Sequence, residues 1–156
     1  MCKFNLNNML EFEVIKKENE FKKTSREGCI DFLHTHLDQF GDSKEDIGKC
    51  FDYALEKNNG KGGYILNAYH ENKLAGVLVM NKTGMSGFIP ENILVYIAVD
   101  SKHRGKGFGR QIIEKAFSIT EGNIKLHVEY DNPAKRLYER VGFKSKYAEM
   151  RYNNNK

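Results

Sequence analysis

The chain has 156 residues, of which 25 are Lys or Arg and 21 Asp or Glu, for a formal net charge of +4. That length suits one domain over 1–156, with its core running from Phe12 to Tyr152 and frayed ends. Apolar residues at 40% and charged residues at 29% describe a globular chain, not a disordered one.

No apolar run approaches the roughly 20 residues of a membrane span. The first ten residues, MCKFNLNNML, hold no continuous apolar stretch, so no secretory leader is expected and a cytoplasmic location is. Cys2, Cys29 and Cys50 are odd in number and lack C-x-x-C spacing. Reduced thiols are expected, with neither a disulfide framework nor a zinc site. Charge is unevenly spread. Glu27 to Glu56 holds eight acids against Lys44 and Lys49, while Lys102 to Lys115 holds five bases against Glu114. No basic strand is interleaved with aromatics, so nucleic acid is not an expected partner.

Phe12–Ile15 alternates and predicts a first strand. Thr24 or Ser25 can cap a helix, Thr24 with Glu27 as a capping box, and Ile30, Leu33, Leu37 and Phe40 make its stripe up to Gly41. Ser43 with Asp46 opens a second helix, buried through Ile47, Phe51, Ala54 and Leu55. The period then changes. Tyr64–Tyr69 and Leu74–Met80 predict two strands joined by a hairpin at Glu71–Lys73. After a loop, Ile93–Val99 is nearly all apolar and predicts the sheet centre, buried on both faces.

A helix with Phe108, Ile112, Ile113, Ala116 and Phe117 inward follows, then a strand over Leu126–Tyr130. Strand, helix, strand at this spacing predicts a parallel pair. Pro133 starts a last helix striped by Ala134, Leu137, Tyr138 and Val141. Gly142 fits a left-handed cap with Phe143 folded beneath it, and Lys144–Tyr152 predicts a final strand or hairpin. The fold class is α/β with a mixed sheet.

The most informative segment is Val99-Asp-Ser-Lys-His-Arg-Gly-Lys-Gly-Phe-Gly109, between the strongest strand and a helix. Alternating glycines let backbone N–H groups turn toward a ligand where a Cβ would clash. The helix adds free N–H groups and the positive end of its dipole, and Arg104, Lys106 and Arg110 add charge. Together these predict a phosphate or pyrophosphate site. The pattern is neither G-x-x-x-x-G-K-[ST] nor G-x-G-x-x-G.

R-x-x-G-x-G at Arg104–Gly109, after Tyr96-Ile-Ala-Val99, resembles the acyl-CoA-binding signature of the Gcn5-related N-acetyltransferases. Asp131-Asn-Pro-Ala-Lys-Arg-Leu-Tyr-Glu-Arg-Val-Gly-Phe143 is similar to that family's second signature. The element order agrees from about Phe12 to Tyr152. The resemblance implies that the central strand splays from its parallel neighbour and that the backbone of Ile97 and Val99 holds the pantetheine arm of acetyl-CoA. It also implies that the N–H groups of Arg104, Gly105, Lys106, Gly107, Phe108 and Gly109 hold the pyrophosphate, that Asn132 contacts the arm, and that Tyr138 lies near the thioester sulfur. Asn132 stands six residues before the tyrosine, where the family has seven. With Pro133 next, it reads equally well as a helix cap.

By the same resemblance the chain is a metal-free acetyltransferase acting by direct transfer, since no cysteine lies in either signature. Tyr138 would be its acid. Glu91, His127, Glu129 and water are all open as its base. The first two helices and the loop 82–92 would border a small-molecule or peptide amine acceptor, and their acidity points to a cationic one. The alternative is a noncatalytic acyl-CoA sensor on the same fold. Either a monomer or a homodimer suits the sequence.

Overall fold

The computed structural model describes residues 6–156. Cys2 lies outside them; Cys29 and Cys50 are free thiols. Five strands form one sheet in sequence order: β1 (Glu11–Ile15), β2 (Gly63–His70), β3 (Lys73–Lys82), β4 (Asn92–Val99) and β5 (Ile124–Leu126). The first four pair antiparallel and β4–β5 pairs parallel. The helices are α1 (Arg26–His36), α2 (Lys44–Ala54), α3 (Phe108–Ile119) and α4 (Ala134–Arg140).

The sheet is coated on both faces. Ile30, Leu33, Ile47 and Phe51 of α1 and α2 pack on Ile15, Ile65, Val77 and Val79. Phe108, Ile112 and Ala116 of α3 pack on Leu66, Leu78, Met80 and Leu94. The strands alternate between these layers with period two, which is why one apolar face meets α1 and α2 and the other meets α3. Gly76 lets α3 close down, because a Cβ there would stand 2.4 Å from Ile112 Cδ1.

Several local expectations hold. Ser43 accepts the Asp46 N–H at the head of α2. The β2–β3 hairpin turns on Glu71 and Asn72, both at positive φ (49° and 64°), which suits a two-residue I′ turn. Past α4, Gly142 at φ +113° donates to Glu139 O and Phe143 N–H donates to Tyr138 O at 2.9 Å. This is the paired bond pattern of a Schellman cap.

Four expectations are corrected. The cap of α1 is Ser25, which accepts from Gly28 N–H; Thr24 instead accepts the Tyr69 hydroxyl, so the Thr24–Glu27 box does not form. That helix ends at His36, and a 3₁₀ turn over Asp38–Phe40 covers the rest of the predicted stripe. The sheet centre is β3, buried along seven successive residues, whereas β4 alternates buried and half-buried. One edge of β4 is covered only over Asn92–Leu94, where β5 pairs with it.

The fourth correction concerns the end of the chain. The strand predicted over Leu126–Tyr130 is β5, shifted back to Ile124–Leu126 because β4 supplies no partner beyond Leu94. The strand predicted over Lys144–Tyr152 joins no ladder. Its alternate positions mix Lys with Met and Tyr on one side, and Tyr with Glu and Arg on the other. No uniformly apolar face directs it onto the sheet, and Tyr147, Met150 and Tyr152 are exposed.

Candidate active site

The site begins with a bulge. Met80 lies opposite Leu94 and Val79 opposite Tyr96, so Val95 is an extra residue in β4. Leu94 faces the α3 layer, Val95 and Tyr96 both face α1 and α2, and Ile97 and Val99 face α3 again. A bulge bends and twists the strand that carries it. Pairing with β5 stops at Leu94, one residue earlier, and the two parallel strands separate. Ile97 and Val99 therefore lie on the stretch of β4 that has no strand beside it on the β5 side.

The glycine loop follows directly. Asp100 N–H donates to Ala75 O, the Asp100 carboxylate accepts the Lys102 N–H, and residues 101–103 make one 3₁₀ turn. That hydrogen bond, with His36, His103 and Lys102 nearby, holds the Asp100 carboxyl below the usual range. Gly105 and Gly107 then take φ +79° and +81°, a region that glycine alone enters cheaply. A Cβ at either would meet nothing within 4 Å, so both face open space. Gly107 stands at the head of α3, and no side chain caps that helix. Its first N–H groups have no side-chain partner.

The three glycines are not equivalent. A Cβ at Gly109 would lie 2.8 Å from Leu137 Cδ2 and 3.9 Å from Val99 Cγ2. Gly109 is needed for close packing, and that contact joins the end of β4, the start of α3 and α4. Phe108 is buried core. The loop's charges are partly engaged elsewhere. The Arg104 guanidinium donates to His36 O at 2.8 Å and to Asp38 at 3.3 Å, bracing the loop against the end of α1. Arg110 pairs with Glu114 at 2.8 Å. Lys106 Nζ reaches only His103 Nδ1, at 3.3 Å, and stays at the loop tip.

Tyr138, next to Leu137 on α4, is buried against Phe143 with ring centroids 6.0 Å apart. Its hydroxyl bonds to no described residue, and burial pushes the phenol up to about 12. Asn132 Oδ1 accepts the Ala134 N–H at 2.9 Å and Asn132 O accepts from Lys135 N–H, so this side chain closes the head of α4. Of the candidate bases, Glu91 accepts the Asn123 N–H at 2.7 Å, which holds its carboxyl low and ties the start of β4 to β5. His127 is held below its ordinary value, first by burial and then by Lys125. Glu129 lies exposed beyond β5.

Sequence reasoning missed a polar set on the α1–α2 face. Asn67, wholly buried in β2, shares hydrogen bonds with Cys29 Sγ at 3.3–3.5 Å. Tyr96 donates to Asp42 at 2.5 Å, and Asn81 donates to Cys50 Sγ at 3.3 Å. The asparagines inside the apolar strands were the available signal. Burial pushes Cys29 up to about 11 and Cys50 up to about 12, so both stay thiols. No group of three or more His, Cys, Asp or Glu placed to hold a metal occurs among the described residues. No helix there is long and apolar enough to cross a membrane.

A family model, the acetyltransferase (GNAT) domain, matches residues 61–145, just over half of the chain and all of the elements above from β2 to α4. The chain belongs to the GNAT acetyltransferases. Solved structures agree in fold. An aminoglycoside acetyltransferase from an uncultured soil metagenomic sample, crystallised with trehalose, is 19% identical over 96% of this chain and 99% of its own, with a TM-score of 0.65. A ribosomal-protein-alanine N-acetyltransferase from Brucella melitensis biovar Abortus 2308 is 14% identical over 94% and 100%, with a TM-score of 0.63. A Pyrococcus horikoshii OT3 protein is 24% identical over 91% and 93%, with a TM-score of 0.66. No curated protein matches the chain by sequence.

Proposed function

We propose that this GNAT protein is an N-acetyltransferase that moves an acetyl group from acetyl-CoA to a primary amine by direct transfer in a ternary complex. The observation that carries this reading is the loop after β4. Two left-handed glycines face open space at the uncapped head of α3, beside a strand whose outer edge is unpaired. That cradle suits a pyrophosphate, and the bare strand edge suits an extended amide-bearing arm.

Acetyl-CoA supplies the activated acetyl thioester. The N–H groups from Arg104 to Gly109 bind the pyrophosphate, with Lys106 adding the charge that Arg104 and Arg110 direct elsewhere. The backbone of Ile97 and Val99 pairs with the arm and aligns the thioester. Asn132 serves α4 instead of the ligand, by the bond to Ala134.

In the transfer a C–N bond forms, the C–S bond breaks, and the amine loses a proton. An alkyl amine has a pKa near 10.4 and must be neutral to attack. Glu91 is engaged by Asn123, so the proton leaves to His127, Glu129 or water. The Tyr138 phenol, at about 12, keeps its proton at neutral pH. A thiol near 8.5 is the stronger acid, so Tyr138 acts by donating a hydrogen bond to the departing sulfur rather than by giving its proton up. Catalysis by the two thiols is not needed, since both stay protonated and lie on the other face of the sheet.

The aminoglycoside and ribosomal-protein enzymes of the same fold make both a small-molecule and a protein amine reasonable acceptors. Release of free thiol from acetyl-CoA across a panel of amines tests the reading, with cofactor affinity measured alongside. Thiol release that requires an amine supports transfer. Tight cofactor binding without turnover across the panel would make the protein a sensor instead.

A further inference from the structure

We infer that Asp42, steadied by the phenol of Tyr96, anchors a second positive charge on the acceptor, and that the acceptor is a multiply charged amine. This rests on the acetyltransferase reading above and goes further by naming the substrate class and the residues that select it.

Tyr96 sits at the bulge, two residues past the last point where β4 and β5 pair. Its side chain leaves the sheet on the α1–α2 face, opposite to Ile97 and Val99. The cofactor groups and the Tyr96 phenol thus approach the strand opening from opposite sides, which is the arrangement a two-substrate transfer requires. The phenol donates to Asp42 Oδ2 at 2.5 Å. Burial, and then Asp42 itself, push the phenol far above its ordinary value, so it remains a donor.

Asp42 lies in the short connection between α1 and α2, immediately before the Ser43 cap. It forms no ion pair with any described residue, and its other carboxylate oxygen has no hydrogen-bond partner among them. Its acidic neighbours are already engaged: Asp46 pairs with Lys49, and Asp38 with Arg104. Arg151 is close enough to feel Asp42, and it is paired with Glu149.

The wall behind the pair is also short of donors. Cys50, close enough to feel Asp42, accepts from Asn81 Nδ2, and the Asn81 Oδ1 is buried without a partner. Asn81 is only 7% exposed, and an unmatched buried acceptor is costly unless something supplies a donor. The free carboxylate edge of Asp42, held by Tyr96 just past the point where β4 and β5 part, favours a cationic group that carries N–H donors. A bond that only tethered the α1–α2 connection to the sheet would need an acceptor but no charge. Asparagine at position 42 would serve that purpose, and this separates the two roles.

The test uses spermidine as the multiply charged probe and benzylamine as the singly charged one. Binding of each is measured by calorimetry to the full chain saturated with CoA, for the wild type, Asp42→Asn, Asp42→Glu and Tyr96→Phe. Asp42→Asn keeps the acceptor for Tyr96 and removes the charge. It should weaken spermidine by about tenfold or more, the worth of a charged hydrogen bond, and benzylamine by less than about twofold. Asp42→Glu should recover most of the loss, and Tyr96→Phe should fall between. Equal spermidine affinity in the wild type and Asp42→Asn, or no spermidine binding to the wild type, overturns the inference. Failure of CoA to bind would overturn the acetyltransferase reading instead. Spermidine selectivity is read from binding alone, so the two failures are told apart.

Discussion

Two strands of this sheet run parallel, and each hands the chain to a helix, by opposite means. After β4, Gly105 and Gly107 turn through positive φ, and α3 starts with no side-chain cap. After β5, Asn132 and Pro133 turn the chain, the Asn132 carboxamide takes the Ala134 N–H, and Pro133 has no N–H to offer. The first junction leaves its donors open and the second uses them up. Equivalent places in a βαβ unit therefore differ in the backbone donors they leave free. One leaves the head of α3 without a side-chain cap, and the other closes the head of α4, the helix that carries Tyr138.

The sharpest way to break this contrast is to close the open junction. Gly107→Glu should still fold, because a Cβ there meets nothing, at a cost of about 1–2 kcal/mol for its positive φ. Acetyl-CoA affinity should fall on the order of 10³-fold or more, since like charges about 4 Å apart at an effective dielectric near 20 repel by about 4 kcal/mol. Calorimetric titration with acetyl-CoA checks this, and unchanged affinity in a folded variant would remove the phosphate-loop reading. Next in size is Tyr138→Phe, which removes one hydroxyl from the closed side. Turnover should drop by about 10²–10³-fold, as when one preorganised donor is lost, with cofactor affinity nearly unchanged. Steady-state kinetics separates the two parameters, and normal turnover would reduce Tyr138 to a packing residue.

Smaller effects refine the comparison. Gly109→Val should lower stability by about 1–3 kcal/mol through overpacking on Leu137, read as a shift of the denaturation midpoint. Gly105, which faces open space, should tolerate Ala at roughly the cost of its positive φ, about 1–2 kcal/mol. Asn132→Ala should cost about 0.5–2 kcal/mol as a lost helix cap and leave acetyl-CoA affinity within about twofold. A loss of affinity with unchanged stability would restore the cofactor contact that the family signature implies. The smallest effect is that of Glu91. Its carboxyl is lowered on folding, so its contribution is present above the ordinary glutamate pKa and is lost as pH falls through the folded value. Glu91→Gln should flatten that acidic part of the stability curve.

Up to α4, the sequence alone determined the element types and most of their caps, because these depend on neighbours within a few residues. Helical and strand periods, Ser43 at a helix head and Gly142 past a helix end are local chemistry. So is the glycine loop, since a run of left-handed turns needs glycine wherever it is placed. The tertiary structure decided what the loop's residues are for. Gly109 reads the same as Gly107 in sequence, yet it is set by Leu137, 28 positions away. The Arg104 charge, counted toward the phosphate from sequence, is drawn to His36 at the end of α1 and to Asp38 in the 3₁₀ turn after it. The extra residue at Val95 reverses the alternation of β4, and no local signal in an apolar run reports it. That reversal turns Tyr96 to the far face and ends the pairing with β5, which is why β5 is short. The meeting of Tyr96 with Asp42 joins positions 54 apart. Such a contact depends on where two helices settle on a sheet, and a single sequence carries no periodic trace of it.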